Sequence, residues 1–250
     1  MQEAKFLAEK TLAALDAAFE VLERKVPPPQ MVLRKRGFVF RYKERSIQQA
    51  IILKLARVVS GLRAAFLLLE NGHVQEQAAM QRLVDEYQED VVFLAYALTL
   101  DELTPLHQQY LDAFFEEEFN DDDDPFTSKQ LRPMMPRKKI RKYITKFGVP
   151  AQALEALNEN LRTIYKTYSG YVHAAAPQIM ELYGGDPPKF HLAGMLGTPR
   201  INEHQADIWN YFFRALTAFC IAAYALQDAQ LAERLRRDIL VFESASGVNS

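Results

Sequence analysis

One stretch near the middle of the chain carries side chains that could move a proton and hold a phosphate. Pro150 and Pro177 bracket it, and because proline favours helix ends over helix interiors, the pattern predicts a helix over residues 151–177. Four polar residues recur along it at positions i, i+4, i+7 and i+11, which fall in one stripe of a helix: Arg162, Lys166, Ser169 and His173. This stripe is the best candidate for a functional site in the sequence.

The residue types in this stripe suit acid–base chemistry on RNA. A histidine titrates near neutral pH and can take a proton from a ribose 2′-hydroxyl or return it. An arginine or lysine on the same face can bind the phosphate and its developing charge. The candidate roles are general acid or base for His173, phosphate binding for Lys166 and Arg162, and assistance from Ser169 and Tyr168. The alternative is structural, with His173 hydrogen-bonded at a helix interface.

Other common chemistries lack their motifs. The five histidines are scattered, no HExxH pattern is present, and residues 121–124 lack calcium-loop spacing, so we expect no metal site. The glycines of the turn-rich stretch 184–197 lack the spacing of a phosphate-binding loop, and we expect no cofactor. The single cysteine, Cys220, lies in an apolar helical run and is expected to be buried and inert.

The composition is that of an ordinary globular protein. The chain has 250 residues, of which 49% are hydrophobic and 25% charged, and its net charge is −2. Bulk charge therefore predicts neither nucleic-acid nor membrane binding. The N-terminus lacks the apolar core of a secretory signal, and no uncharged apolar run reaches the ~18–20 residues of a membrane span. These features predict a cytoplasmic protein that does not enter a membrane.

The charges are unevenly placed in the middle of the chain. Residues 112–124 contain eight acids and no bases, residues 129–146 contain eight bases and no acids, and prolines separate them. This pattern predicts a charged, loop-rich insertion at about 101–149 with a short basic helix. Two interpretations stay open: a solvated or mutually paired surface, or an RNA-binding segment. The RNA-binding residues would be Arg137, Lys138, Lys139, Arg141 and Lys142, whose joint neutralisation should leave folding nearly unchanged.

The rest of the pattern predicts an all-α protein. Apolar residues at helical spacing predict helices over residues 3–26, 46–71, 73–100, 101–119, 202–226 and 229–242. Ser46 can cap the second helix, and the Asn71-Gly72 turn should place the second and third side by side and antiparallel. The paired acids Asp85/Glu86 and Glu89/Asp90 are interpreted as solvated helix faces.

The predicted organisation has three parts. Residues 1–45 form an N-terminal helix and a basic arm, residues 46–244 a helical domain, and residues 245–250 a disordered tail. For the arm at 31–45, an irregular segment is preferred to a short hairpin.

The segment YKTYSGYVHAAAP (165–177) resembles the final motif of HEPN-superfamily helical proteins. It is closest to an uncharacterised bacterial HEPN-like branch with a Tyr-x-x-x-Ser-x-x-Val-His pattern. The segment 57–98 of this chain resembles the paired helices of that branch. Its residues Arg63, Gly72, Arg82 and Glu86 stand out in the resemblance. The resemblance covers roughly residues 57–100 and 154–224 and implies a HEPN-like helical bundle.

The resemblance also implies a function. HEPN proteins are often dimeric, and several are metal-independent ribonucleases of toxin–antitoxin and phage-defence systems that use Arg-x(4–6)-His. Here Lys166 stands in place of that arginine, and Arg162 lies too far from His173 to match. A lysine keeps the positive charge but cannot make the two parallel hydrogen bonds of an arginine. The leading hypothesis is an RNA-cleaving or RNA-binding effector. The alternative is a non-catalytic module that forms a homodimer or holds a partner protein such as a cognate antitoxin.

Overall fold

Helices form most of the described chain. The computed structural model describes residues 2–35, 37–119, 126–129, 133, 135–147, 163 and 165–248. Its helices are α1 Gln2–Glu23, α2 Ile47–Glu70, α3 Val74–Thr99, α4 Pro105–Phe115, α5 Arg137–Ile144, α6 at residues 165–172, α7 Ala176–Met180, α8 Arg200–Ala225 and α9 Ala229–Ser246. The strands form two antiparallel hairpins: β1 Gln30–Arg34 with β2 Gly37–Arg41, and β3 Tyr183–Gly184 with β4 Lys189–Phe190. The prediction of an all-α bundle is confirmed.

Helices α2 and α3 pack side by side, as predicted from the short turn between them. The Ser46 hydroxyl accepts a 3.2 Å hydrogen bond from the Gln49 backbone N–H, and Oε1 of Gln49 accepts one of 3.1 Å from the Ser46 backbone N–H, which completes a capping box. The two helices are joined at Gly72, whose left-handed φ of 78° a glycine adopts without steric cost. Helix α8 packs on both, and α1 and α9 pack on α8. The fully buried side chains of this core include Leu15, Leu55, Phe93, Phe212 and Phe219.

The arm at 31–45 is a β-hairpin over most of its length, so the preference for an irregular segment was wrong. Val32 pairs with Val39, and Arg34 pairs with Gly37, which leaves a two-residue loop. β-branched and aromatic residues favour strands, and Gly37 has a φ of 141°, in the range where glycine is favoured. The strand-favouring side chains and the glycine that begins β2 therefore favour a hairpin over an irregular segment.

The middle of the chain holds two short helices. The predicted basic helix is α5, and the helix predicted over 101–119 is α4, which starts at Pro105 after Thr104. His107 fixes this start: its Nδ1 accepts a 3.2 Å hydrogen bond from the Thr104 backbone, and its Nε2 lies 3.2 Å from the Phe93 carbonyl. The acids at 121–124 lie outside the described residues.

Two predicted helix ends were wrong. The helix expected to run to Pro177 ends at residue 172, because Ala174 adopts a left-handed φ of 51° and Pro177 belongs to the first turn of α7; residues 151–162 lie outside the described part. Helix α9 continues to Ser246 and is closed by Gly247 at a φ of 70°, so the predicted start of a disordered tail at residue 245 was also wrong; residues 249–250 lie outside the described part. No helix among the described residues is long and apolar enough to cross a membrane.

Cys220 is half-buried, where full burial was expected. Its Sγ lies 3.4 Å from the carbonyl of Ala232 on α9. Burial raises the pKa of this thiol, which keeps it in its less reactive protonated form.

Candidate functional site

A row of acids on α3 is buried against cations from neighbouring helices. Asp85, Glu89 and Asp90 are 6%, 8% and 3% exposed, so their interpretation as solvated helix faces was wrong. Their partners come from α2, α5 and α8, which explains why ionised carboxylates can remain inside the fold. We call the set the α3 charge cluster: Lys54, Arg82, Asp85, Glu86, Glu89, Asp90, Arg137, Arg141 and Arg214.

The two arginines of α5 hold the middle of this cluster. Arg137 donates to Glu89 at 2.5 Å, to Asp90, and to the backbone carbonyl of Glu86 at 3.0 Å. Burial alone would lower the pKa of Arg137, but the attraction of Asp90 and Glu89 outweighs it and raises that pKa. Arg141 donates from Nε to the other oxygen of Glu89 at 2.8 Å. Helix α5 is thus fixed to α3 by charge-assisted hydrogen bonds.

The outer ends of the cluster are tied to α2 and α8. Lys54 lies 2.7 Å from Asp90 and 4.8 Å from the ring centre of Phe114, so it has both a carboxylate and an aromatic partner. Arg214 pairs with Asp85. Four carboxylates and five cations therefore lie together with nearly balanced charge.

Tyr165 joins α6 to this cluster. Its ring centre lies 3.7 Å from the guanidinium carbon of Arg82 and 3.9 Å from that of Arg141. Two guanidinium groups cannot occupy one ring face at these distances, so they lie on opposite faces of the ring. Tyr165 is the first residue of the HEPN-like motif, and no role was predicted for it. The one sequence feature that could have singled out Tyr165 is its place as the first residue of the Tyr-x-x-x-Ser-x-x-Val-His pattern.

The predicted catalytic residues that the structure describes lie on α6 and just beyond its end. Lys166 is exposed on α6, whereas His173 is exposed just beyond the end of that helix. Tyr168 donates its hydroxyl to Asp207 on α8, and burial is the main cause of its raised pKa. Ser169 is half-buried, and its carbonyl accepts the His173 backbone N–H at 3.0 Å. Arg162 lies outside the described residues.

No family model, no curated protein and no solved structure matches this chain. The HEPN resemblance therefore stays a prediction. What bears on function is the exposure, charge and contacts of the described side chains.

The five predicted RNA-binding residues divide into two groups on α5. Arg137 and Arg141 face α3 and are occupied by its carboxylates. The other three form an exposed set that we call the lysine face: Lys138, Lys139 and Lys142. The expectation that all five could be neutralised without affecting folding therefore holds for the lysine face alone, since removing one partner of a buried ion pair is strongly destabilising.

A cleft of about 490 Å³ opens beside the cluster. Lys54, Asp90, Phe114, Arg137 and Tyr165 lie on its walls. Within the described part of the chain, no group of three or more histidine, cysteine or acidic side chains is arranged to hold a metal ion. The ion pairs of the cluster suit it to fixing the relative positions of α3, α5 and α6 more than to transferring protons.

Proposed function

We propose that this chain binds RNA, and that the lysine face of α5 supplies the principal phosphate contacts. The observation that carries the proposal is the division of charge on α5. Its arginines are held by α3, while Lys138, Lys139 and Lys142 extend outward and are exposed. A rigidly mounted helix that presents several lysines on one side is suited to a backbone of regularly spaced phosphates.

Helix α6 extends this surface. Arg141 and Tyr165 join α5 to α6, and the exposed side chain of Lys166 follows Tyr165 directly. Both helices that meet at this contact therefore carry exposed lysines. The HEPN-like motif at 165–177 supports the same ligand, because RNA is the substrate that this resemblance implies.

The geometry favours binding over cleavage. His173 is exposed, as a catalytic histidine would have to be. The arginines of α5 are occupied by Glu89 and Asp90, and Lys166 precedes His173 by about two turns, or roughly 10 Å along a helix axis. We therefore expect bound RNA to remain intact, and we expect His173→Ala to leave its affinity nearly unchanged.

The test is the salt dependence of binding to a labelled single-stranded RNA. The lysine-face variant Lys138→Gln/Lys139→Gln/Lys142→Gln is compared with Lys10→Gln/Arg234→Gln/Arg237→Gln, which removes the same charge from exposed positions on α1 and α9. Each lost phosphate contact lowers the slope of log K against log salt by about 0.7 for a single strand. The lysine-face variant should lose about two units of slope.

Two outcomes would contradict the proposal. If both triple variants reduce binding equally, net charge and not the lysine face is responsible. If neither binds RNA differently from the wild type while the lysine-face variant changes the mass in solution, the surface is a contact between copies or with a protein partner. Cleavage of RNA by the wild type but not by His173→Ala would show a ribonuclease in place of a binding module.

A further inference from the structure

The β1–β2 hairpin presents an apolar face to solvent. Met31 lies opposite Phe40 and Leu33 opposite Phe38, so these four side chains share one face of the two-stranded sheet. They are 58%, 57%, 77% and 58% exposed respectively. We call this set the hairpin face: Met31, Leu33, Phe38 and Phe40. So much exposed apolar surface in one place indicates a binding surface.

The opposite side of the hairpin is anchored to the bundle. Arg41 makes two hydrogen bonds to the carboxylate of Glu117, of 2.7 and 2.9 Å, and Arg34 makes a third of 3.3 Å. This fork-to-fork contact fixes the orientation of the sheet. The hairpin face is consequently held outward as part of the folded structure.

The charges around the face identify the kind of ligand. Of the six basic residues in the segment 31–45, Arg34 and Arg41 are paired with Glu117, whereas Lys35, Lys43 and Arg45 are exposed at the tip and base of the hairpin, beside the one acid of the segment, Glu44. Packing this face on a second copy would bring two such sets of cations into one interface, which like-charge repulsion opposes. A single-stranded nucleic acid has the complementary chemistry, since its phosphates are anionic and its unpaired bases have flat apolar faces.

The aromatic residues are placed for base stacking. Phe38 and Phe40 are two residues apart on one strand, with ring centres 5.6 Å apart and ring planes at 81°, so each ring offers a base a separate face. Exposed aromatic rings on a sheet surface, flanked by cations, are a common way to hold unpaired bases without reading their sequence. We propose that the hairpin face binds single-stranded RNA by stacking bases on Phe38 and Phe40, an inference that rests on the RNA-binding function proposed above.

A groove of about 490 Å³ lies at the base of the hairpin, lined by aromatic and apolar side chains that include Phe40 and Phe114 and also by the acids Glu23, Glu116 and Glu117. These carboxylates disfavour a phosphate backbone in the groove, so the proposed RNA contact is the hairpin face itself.

The test separates stacking from charge by measuring RNA affinity and its salt slope for single variants. Phe38→Leu and Phe40→Leu keep an exposed apolar side chain but remove the ring. Phe6→Leu is the matched control, because Phe6 is an exposed phenylalanine on α1. We expect each hairpin variant to lose about tenfold in affinity at an unchanged salt slope, and the control to bind as the wild type does. An RNA of the same length with abasic sites should bind the wild type as weakly as the variants bind intact RNA.

Circular dichroism and solution mass complete the experiment. Equal affinity of the hairpin variants and the Phe6→Leu control would overturn the stacking proposal while leaving the lysine-face function intact, provided that the lysine-face variant still loses binding. A wild type that does not bind RNA would remove both proposals. If the hairpin variants shift the protein from dimer to monomer with unchanged RNA affinity, the hairpin face is a contact between copies.

Discussion

Arg141 donates a 2.8 Å hydrogen bond from Nε to Glu89, a carboxylate that is almost completely buried on α3. Arg137, one turn earlier, binds the other oxygen of the same carboxylate. Every third or fourth position of α5 therefore faces the bundle, and the positions between them face solvent. The basic residues of α5 are therefore of two kinds: arginines paired with buried acids of α3, and lysines exposed to solvent.

Neutralising the two kinds should have different effects on stability. We expect Arg137→Gln to lower the free energy of unfolding by about 3–5 kcal/mol, because it leaves buried carboxylates without their partner. Lys138→Gln, its exposed neighbour, should change it by less than about 0.5 kcal/mol. Urea denaturation of both variants measures the difference. Similar values for the two would show that the buried ion pairs of Arg137 contribute little.

The ring of Tyr165 is predicted to stabilise the α5–α6 junction through its π faces. Tyr165→Phe keeps the ring between Arg82 and Arg141 and should be nearly neutral. Tyr165→Leu removes two cation–π contacts, each worth up to about 2 kcal/mol when desolvated, and should be clearly less stable. Thermal unfolding of the three proteins checks this order. Equal loss in both variants would assign the contribution to the hydroxyl.

Gly72 is predicted to tolerate no side chain. It has a left-handed φ of 78°, and a Cβ would lie 2.7 Å from the backbone nitrogen of Met195, which donates a 2.8 Å hydrogen bond to the Gly72 carbonyl. Gly72→Ala should therefore cost at least about 1–3 kcal/mol. Gly184→Ala is the control, because nothing lies within 4 Å of the Cβ it would add. A neutral Gly72→Ala in a denaturant titration would mean that the 194–196 loop moves away without cost.

The elements predicted from sequence were those that local signals specify. The Ser46 cap, the apolar spacing of α2 and α3, and the Asn71-Gly72 stop all lie within a few residues of the structure they determine. The same holds for α5. The helix end at residue 172 was missed because the left-handed Ala174, a residue with no strong preference for that conformation, ends the helix before Pro177.

The candidate site was harder to predict because its contacts are remote in sequence. Arg137 and Asp90 are 47 residues apart, and Arg141 and Glu89 are 52 apart. Nothing in the α3 sequence distinguishes Glu89 from a solvated acid, since burial depends on a helix that follows much later. The five basic residues of α5 were predicted as one set, and only the direction in which each side chain points relative to α3 separates the arginines from the lysines.

His107 should make the fold sensitive to acid. It is fully buried against Phe93, beside Tyr143, and burial lowers its pKa, although the Phe93 carbonyl and the charge of Glu102 oppose the shift. The unfolded chain binds a proton at this histidine near its ordinary pKa of about 6.5, whereas the folded chain binds it only at a lower pH. Stability is therefore present above that pH and falls as the pH decreases through and below it.

The prediction is a pH slope that depends on this one residue. Between pH 7 and 5, the unfolding free energy of the wild type should fall with a His107 contribution of at most about 1.4 kcal/mol per pH unit. His107→Gln should be less stable at neutral pH, because the ring contacts with Phe93 and Thr104 are lost, but its slope should be smaller. His204, whose pKa burial also lowers, keeps a residual slope in the variant. Parallel urea titrations across this range decide the matter, and identical slopes for the two proteins would show that His107 takes up its proton equally in the folded and unfolded chains.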